Sequence, residues 1–180
     1  MRYDRLSLDR MFGAAMRFLD PQAAETRDGI TLRPYRESDV EAMYALDQVC
    51  FSENFRFDRR SMRRFADAPN AMSVVAYAQD GSLAGFSIAH LEHREDDIYG
   101  YVVTLDVAPE ARGKGLAGKL LGALEERARG AGAGRMELHV AVENPGAIRF
   151  YERSGYVLAG RLNGFYGPGL DGLGYWKRLG

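Results

Sequence analysis

Apolar and polar positions along this chain follow a helical period in some stretches and a two-residue period in others. In residues 1–20, Leu8, Met11, Phe12, Ala15, Met16 and Leu19 recur at helical spacing and predict an amphipathic helix. Asp20-Pro21 ends it, and residues 22–29 read as a linker. Residues 30–34 read as a short strand. Ser38, with Glu41 three residues on, gives a capping box for a helix whose apolar side is Ala42, Tyr44, Ala45 and Val49. Asp58 starts a second helix through about Ala66, closed by Pro69-Asn70. Residues 72–79 and 83–91 read as strands joined by the hairpin signal Asp80-Gly81. Residues 93–97 read as a polar turn, 98–107 as a long apolar strand and 109–113 as a loop. A helix over 115–129 ends at Gly130 and Gly132. Residues 136–142 alternate, placing Glu137, His139 and Ala141 on one face. Asn144 caps a helix that begins at Pro145 and runs to Ser154. Residues 156–159 and 174–179 read as two closing strands.

Three consecutive strands joined by tight turns are antiparallel, whereas the strand–helix–strand unit over 98–142 implies a parallel neighbour. The expected class is therefore α/β: a mixed, mostly antiparallel central sheet with helices on both faces. Residues 1–29 read as a helical appendage and linker, and residues 30–180 as one domain.

Composition narrows the chemistry. With 180 residues, 46% hydrophobic and 27% charged, a core can form without a staple. A single cysteine, Cys50, excludes an internal disulfide and a Cys-based zinc site. Twenty-four basic residues against 25 acidic ones argue against a general nucleic-acid coat. No apolar run reaches a membrane span, and Asp4, Asp9, Arg10 and Arg17 interrupt any signal core. The expectation is a soluble, cytoplasmic protein with no membrane or nucleic-acid partner.

The stretch Arg112-Gly113-Lys114-Gly115-Leu116-Ala117-Gly118-Lys119 lies between a strand and a helix, so its amides sit at a helix N-terminus and suit an anion. A nucleotide-triphosphate loop would need Ser or Thr after Lys119 to hold magnesium, and Leu120 stands there. A dinucleotide fingerprint would follow its strand at once, and residues 108–112 intervene. A glycine turn with no ligand is the bland reading. The third is Arg-x-x-Gly-x-Ala at 112, 115 and 117. It follows Leu105-Asp106-Val107-Ala108-Pro109 and is followed by Asn144, Ala147, Phe150, Tyr151, Gly155 and Tyr156. These two blocks resemble the coenzyme-binding segments of the GNAT family of N-acetyltransferases, over about residues 30–180. The ending, Phe165-Tyr166 through Asp171-Gly172 to Trp176-Lys177-Arg178-Leu179, resembles the protein N-terminal acetyltransferases, including the ribosomal-protein alanine acetyltransferases. Ala141, Gly172 and Tyr175-Trp176 depart from that pattern.

The resemblance implies acetyl-CoA as co-substrate, no metal, and direct attack by an amine in a ternary complex. It implies a pyrophosphate cradle at Arg112, Gly113, Lys114, Gly115, Leu116 and Ala117. Backbone groups of Leu105 and Val107 would pair with the pantetheine arm, the Val107 amide would polarise the thioester carbonyl, and Asn144 would touch the arm besides capping its helix. Tyr151 is implied as the acid that protonates the coenzyme sulfur; the alternative is a packed core tyrosine. His139 occupies the position of the base, the alternative being a histidine satisfied in the sheet, with Glu53 a second candidate and Asp106 a third; Glu137 reads as a solvated strand residue. Phe51, Phe55, Tyr166 and Phe165 would line a peptide slot. The cluster Arg59, Arg60, Arg63 and Arg64 reads as a solvated face, or as a dock for an acidic surface, and Cys50 as a buried apolar residue. The favoured acceptor is a protein N-terminal α-amine. The alternatives are a small amine such as a polyamine or antibiotic, or a non-catalytic acyl-CoA-binding module. Residues 1–29 read as either a homodimer contact or a lid.

Overall fold

The computed structural model describes residues 25–27, 29–95 and 97–180; the helix read at 1–20 lies outside them. Eight strands form one sheet: β1 (Glu25–Arg27), β2 (Ile30–Pro34), β3 (Val74–Ala78), β4 (Leu83–Arg94), β5 (Asp97–Val107), β6 (Arg135–Ala141), β7 (Val157–Gly167) and β8 (Leu170–Arg178). Their order is β1-β2-β3-β4-β5-β6-β8-β7. Every neighbouring pair is antiparallel except β5–β6, which is parallel. Helices α1 (Val40–Cys50) and α2 (Arg59–Ala66) precede β3, α3 (Leu116–Gly130) crosses from β5 to β6, and α4 (Pro145–Arg153) precedes β7.

The class and element order follow the hydrophobic pattern, with four corrections. The stretch read as a linker contains β1, which covers the edge of β2. Ser38 does not cap α1: a 3-10 turn over Glu37–Asp39 leads into it, and Asp39, at the N-cap position, makes no side-chain cap to the helix but closes that turn. Its carboxylate accepts the Arg36 N–H at 2.8 Å, both Arg33 guanidinium nitrogens at 2.7 Å and the Tyr77 hydroxyl at 2.9 Å. Burial alone would raise Asp39, but these donors hold it below its ordinary value. Four donors on a carboxylate outweigh the weaker Ser38–Glu41 box. The polar turn at 93–97 shrinks because β4 runs to Arg94 and β5 starts at Asp97, with Glu95 at φ 55°. The closing strands are longer than read, because β7 and β8 form one hairpin through the glycines between them.

Two cores flank the sheet. On one face α3 buries Leu116, Leu120, Leu121, Leu124 and Ala128, the stripe its helical period provides, beside Tyr151 of α4. On the other, Val40 and Met43 of α1 and Met62 and Ala66 of α2 pack on Val75, Phe86 and Ile88. The Lys177 ammonium donates to both oxygens of Glu125 at 2.8 and 2.9 Å, and the Tyr156 hydroxyl donates to the same carboxylate at 3.1 Å. This ties α3 to β8.

Two buried carboxyls lie between α1 and β5. Asp47 accepts the Phe57 N–H at 2.9 Å and the Gln48 amide at 3.0 Å, which anchors the chain leaving α1. Asp106 accepts the Thr104 hydroxyl at 2.6 Å. Asp47 Oδ1 and Asp106 Oδ2 have no partner. Burial pushes Asp47 up to about 6 and Asp106 well above its ordinary value, the latter further raised by Asp47. A protonated Asp106 is the form that this environment selects.

Two stability measurements check this account. An ideal Cβ at Gly85 would meet the Asp106 carbonyl oxygen at 2.7 Å and Leu120 Cδ1 at 3.1 Å. Gly85→Ala must push β4 from β5, and urea denaturation should show a loss of about 1–3 kcal/mol. For Asp106, the unfolded carboxyl ionises near 3.8 while the folded one stays protonated to higher pH. Wild-type stability therefore falls as pH rises from about 4 through the folded pKa. Asp106→Asn should flatten that fall, gaining stability relative to wild type as pH rises above about 4; a parallel pair of curves would show that Asp106 is ionised in the fold.

Candidate active site

The β5–β6 ladder runs from Tyr99↔Arg135 to Val102↔Leu138 and stops, while β5 continues to Val107 and β6 to Ala141. Between the parted strands and the chain after α1 lies a cavity of about 490 Å³. The Ala108 N–H donates to the Ala84 carbonyl at 2.9 Å. Antiparallel pairs alternate, so the pairs Gly85↔Val107 and Ser87↔Leu105 are the non-hydrogen-bonded ones. Leu105 and Val107 therefore turn their backbone groups away from β4, toward the split. Leu105 lines the cavity and Val107 does not. The Val107 carbonyl already accepts from Arg112 Nε at 3.0 Å and from the Cys50 thiol at 3.4 Å, so it is closed to an added strand.

At the end of β5 the chain turns into α3 through Gly113 at φ 73° and Gly115 at φ 79°, the latter its N-cap. These left-handed conformations disfavour any side chain. A Cβ at either would meet nothing within 4 Å, so the loop surface is bare backbone. First-turn amides of a 15-residue helix below a bare loop fit a pyrophosphate. The two cations of the loop are turned aside: Arg112 bonds Val107, and the Lys114 ammonium donates to the Glu110 carbonyl at 2.9 Å. Asn144 Oδ1 accepts the Ala147 N–H at 3.0 Å, so it caps α4, and it also lines the cavity.

Tyr151 and His139 face this one cavity. Tyr151 is 8% exposed, and burial, reinforced by Asp106 and Tyr166, keeps its phenol protonated far above the ordinary value. His139 Nδ1 lies 2.9 Å from the Tyr101 hydroxyl. Burial lowers the imidazole below 6.5, with Glu137 pulling weakly the other way. Burial, with Tyr99 and Glu137, pushes Tyr101 up to about 12. At neutral pH the pair is thus a neutral imidazole beside a protonated phenol. Sequence reasoning placed Tyr101 in a strand without a role, because its relation to His139 depends on a parallel register that no local signal carries.

None of the other candidate bases lines the cavity. Glu53 sits in an exposed 3-10 turn, Glu53–Phe55, and is not a cavity residue. Asp106 is spent on Thr104 beneath the strand. Glu137 is not a solvated residue: it is half-buried and bonded to Arg135 Nε at 2.6 Å. Cys50 is half-buried and lines the cavity.

Phe51, Phe55 and Tyr166 line the same cavity, and the Phe55 and Tyr166 rings meet edge-on at 5.2 Å across its mouth. Phe165 is outside that lining and stacks on His139. In the arginine cluster, Arg59 pairs with Glu41 and Arg63 with Glu37, and the guanidinium of Arg64 lies over Phe65, so much of that charge is engaged on its own surface. Among the described residues no helix is long and apolar enough to cross a membrane.

Residues 40–156 match the family model described as acetyltransferase (GNAT) family. The chain is 30% identical over 146 residues to N-alpha-acetyltransferase 30 of Schizosaccharomyces pombe, covering 81% of this chain and 96% of that protein. It is 30% identical over 165 residues to mycothiol acetyltransferase of Brachybacterium faecium, covering 87% of this chain but only 49% of that longer protein. The structure of Arabidopsis thaliana NAA60 in complex with acetyl-CoA has the same fold, with a TM-score of 0.74 over 83% of this chain and 98% of that one, at 23% identity. With its parted parallel strands, bare glycine loop and paired histidine and tyrosines, this chain belongs to the GNAT family of acetyltransferases.

Proposed function

We propose that this enzyme transfers the acetyl group of acetyl-CoA to the α-amine at a protein or peptide N-terminus. The observation that carries the reading is His139, a neutral and weakly basic imidazole held by Tyr101 in the cavity that Tyr151 also faces. An α-amine has a pKa of about 7.7–8.0 and a lysine amine about 10.4. Against an imidazolium at or below 6.5, the proton transfer is uphill by about 2 kcal/mol for the α-amine and by about 5 kcal/mol or more for lysine. Such a base suits an acceptor that is already partly neutral. The similarity to an N-alpha-acetyltransferase supports the same acceptor. A small amine is the second reading, favoured by the similarity to mycothiol acetyltransferase.

In this mechanism the backbone of 113–117 holds the pyrophosphate and the outward groups of Leu105 take the pantetheine arm. Asn144 borders that arm, and the Val107 amide polarises the thioester carbonyl. The amine lone pair attacks the carbonyl carbon, and its proton passes to His139 Nε2, directly or through water. Collapse of the tetrahedral intermediate breaks the C–S bond as Tyr151 donates its proton to the departing sulfur. A phenol held protonated by burial releases its proton only as charge develops on that sulfur, so donation and C–S cleavage are coupled. Phe51, Phe55 and Tyr166 form the apolar walls along which the peptide enters. The reading places the reaction in the cytoplasm.

Three measurements test it. Peptides with free N-termini should outpace N-blocked lysine peptides and small amines when coenzyme A release is followed; preference for blocked lysine peptides would overturn the acceptor. Tyr151→Phe should lower kcat by about 10²–10⁴ with acetyl-CoA affinity nearly kept. Because burial lowers His139, the wild-type rate should rise with pH through a midpoint below 6.5. In His139→Ala that limb should move up toward the amine's own pKa, about 7.7–8.0.

A further inference from the structure

Phe165 lies on β7, close to the turn into β8, and is 41% exposed. Leaving a phenyl ring in water forfeits part of its burial energy, which is about 1.5–3 kcal/mol for a large apolar side chain. The ring is not loose. It stacks on His139 with centroids 4.2 Å apart and planes 26° from parallel. Tyr166 meets its edge at 4.8 Å, and Tyr166 in turn meets Phe55. The hairpin thus lays an aromatic cover on the imidazole face, while Tyr101 holds Nδ1.

The opposite strand explains how the ring fits. Gly172 of β8 sits in extended strand, outside the set of glycines with positive φ, so its backbone does not call for glycine. Glycine inside a strand costs stability and marks close approach of another group. Here the group is Phe165: an ideal Cβ at residue 172 would lie 3.1 Å from its Cβ and 3.2 Å from Cγ and Cδ1. A Cβ at Gly174 would lie 3.6 Å from His139 Nε2. That is ordinary contact, so the tight position is 172, where the phenyl ring lies against the bare strand.

We propose that Phe165 is a positioning residue for His139, covering one face of its ring to fix its plane and exclude water, and that Gly172 is the small residue that makes room for it. The proposal rests on the reading of His139 as the base. The titratable and charged groups around the ring are Tyr101 on β5, Glu137 on its own strand and Tyr166 on the hairpin; Arg56 and Glu143 stand farther round the cavity wall. Of these only Glu137 favours the charged ring, and burial outweighs it. An aromatic face also attracts a cation, by about 0.5–1 kcal/mol at exposed sites. Losing water exclusion and losing that attraction move the His139 midpoint in opposite directions, and the sign measured in Phe165→Ala separates them.

The test follows the His139 imidazole by NMR across pH in the full chain, with its signal assigned by loss in His139→Ala, alongside the pH–rate profile. Phe165→Ala should move the titration midpoint up toward 6.5 and the acid limb of kcat with it. The kcat loss should be smaller than the roughly 10²–10⁴ expected when a general base is removed, with acceptor KM little changed. Gly172→Ala should move the midpoint in the same direction by a smaller amount with Phe165 still present, because the added methyl makes the ring give by a few tenths of an ångström. Phe165→Tyr should restore the wild-type profile, and urea midpoints would confirm that each variant is folded. An unchanged or lowered midpoint in Phe165→Ala would overturn the proposal, as would a change in acceptor KM alone. A midpoint that moves while the rate limb stays would keep the stacking but remove His139 as base, and the catalytic role of Phe165 would fall with it.

Discussion

A parallel ladder that stops at Val102 and Leu138 leaves two strands whose backbone groups must find other partners. On β5 the alternation of antiparallel pairs with β4 decides which groups those are, and they belong to Leu105 and Val107. Arg112 and Cys50 take up the Val107 carbonyl, which fixes how the chain leaves β5 for the glycine loop. The helix behind that loop is tied by Glu125 to Lys177 on β8, so the split is braced from the far side of the sheet. Tyr151, His139, Leu105, Asn144, Phe51, Phe55 and Tyr166 all line this one opening. The coenzyme loop ends β5, Tyr101 and His139 stand where the strands part, and Tyr151 comes from the helix that follows β6.

The electrostatics of the opening share one direction. Burial raises Tyr151, Tyr101, Tyr166 and Asp106 and lowers His139, so each of these groups is pushed toward its neutral form. Burial, not pairing with a charged neighbour, is the leading cause of each shift, and Arg56 and Glu143 supply the formal charges on the cavity wall.

Much of this was legible in the chain. Asp80-Gly81 marked a hairpin, Asn144-Pro145 marked a helix start, and the glycines at 113 and 115 marked an anion-binding turn, because each signal lies within a few residues. What was not legible depends on distant partners. Ser38 with Glu41 matched a capping pattern, yet Arg33 and Tyr77, from two strands, recruited Asp39 instead. Glu53 read as a second candidate base after His139, and the 3-10 turn places it in solvent. Tyr101 was one aromatic in an apolar strand until the β5–β6 register set it beside His139. Gly172 looked like a departure from a family pattern, and the Phe165 ring supplies its reason.

The parallel pairing also sets a cost on assembling the molecule. Strands β3, β4 and β5 meet through turns of a few residues, but Tyr99 reaches Arg135 only after all of α3 has been laid across the sheet. The chain entropy lost in bringing such separated segments together is paid before the contacts repay it. Joining β6 to β5 therefore costs more chain entropy than joining β4 to β5. A change that weakens α3 bears on that parallel pairing, and through it on the place where the two strands part.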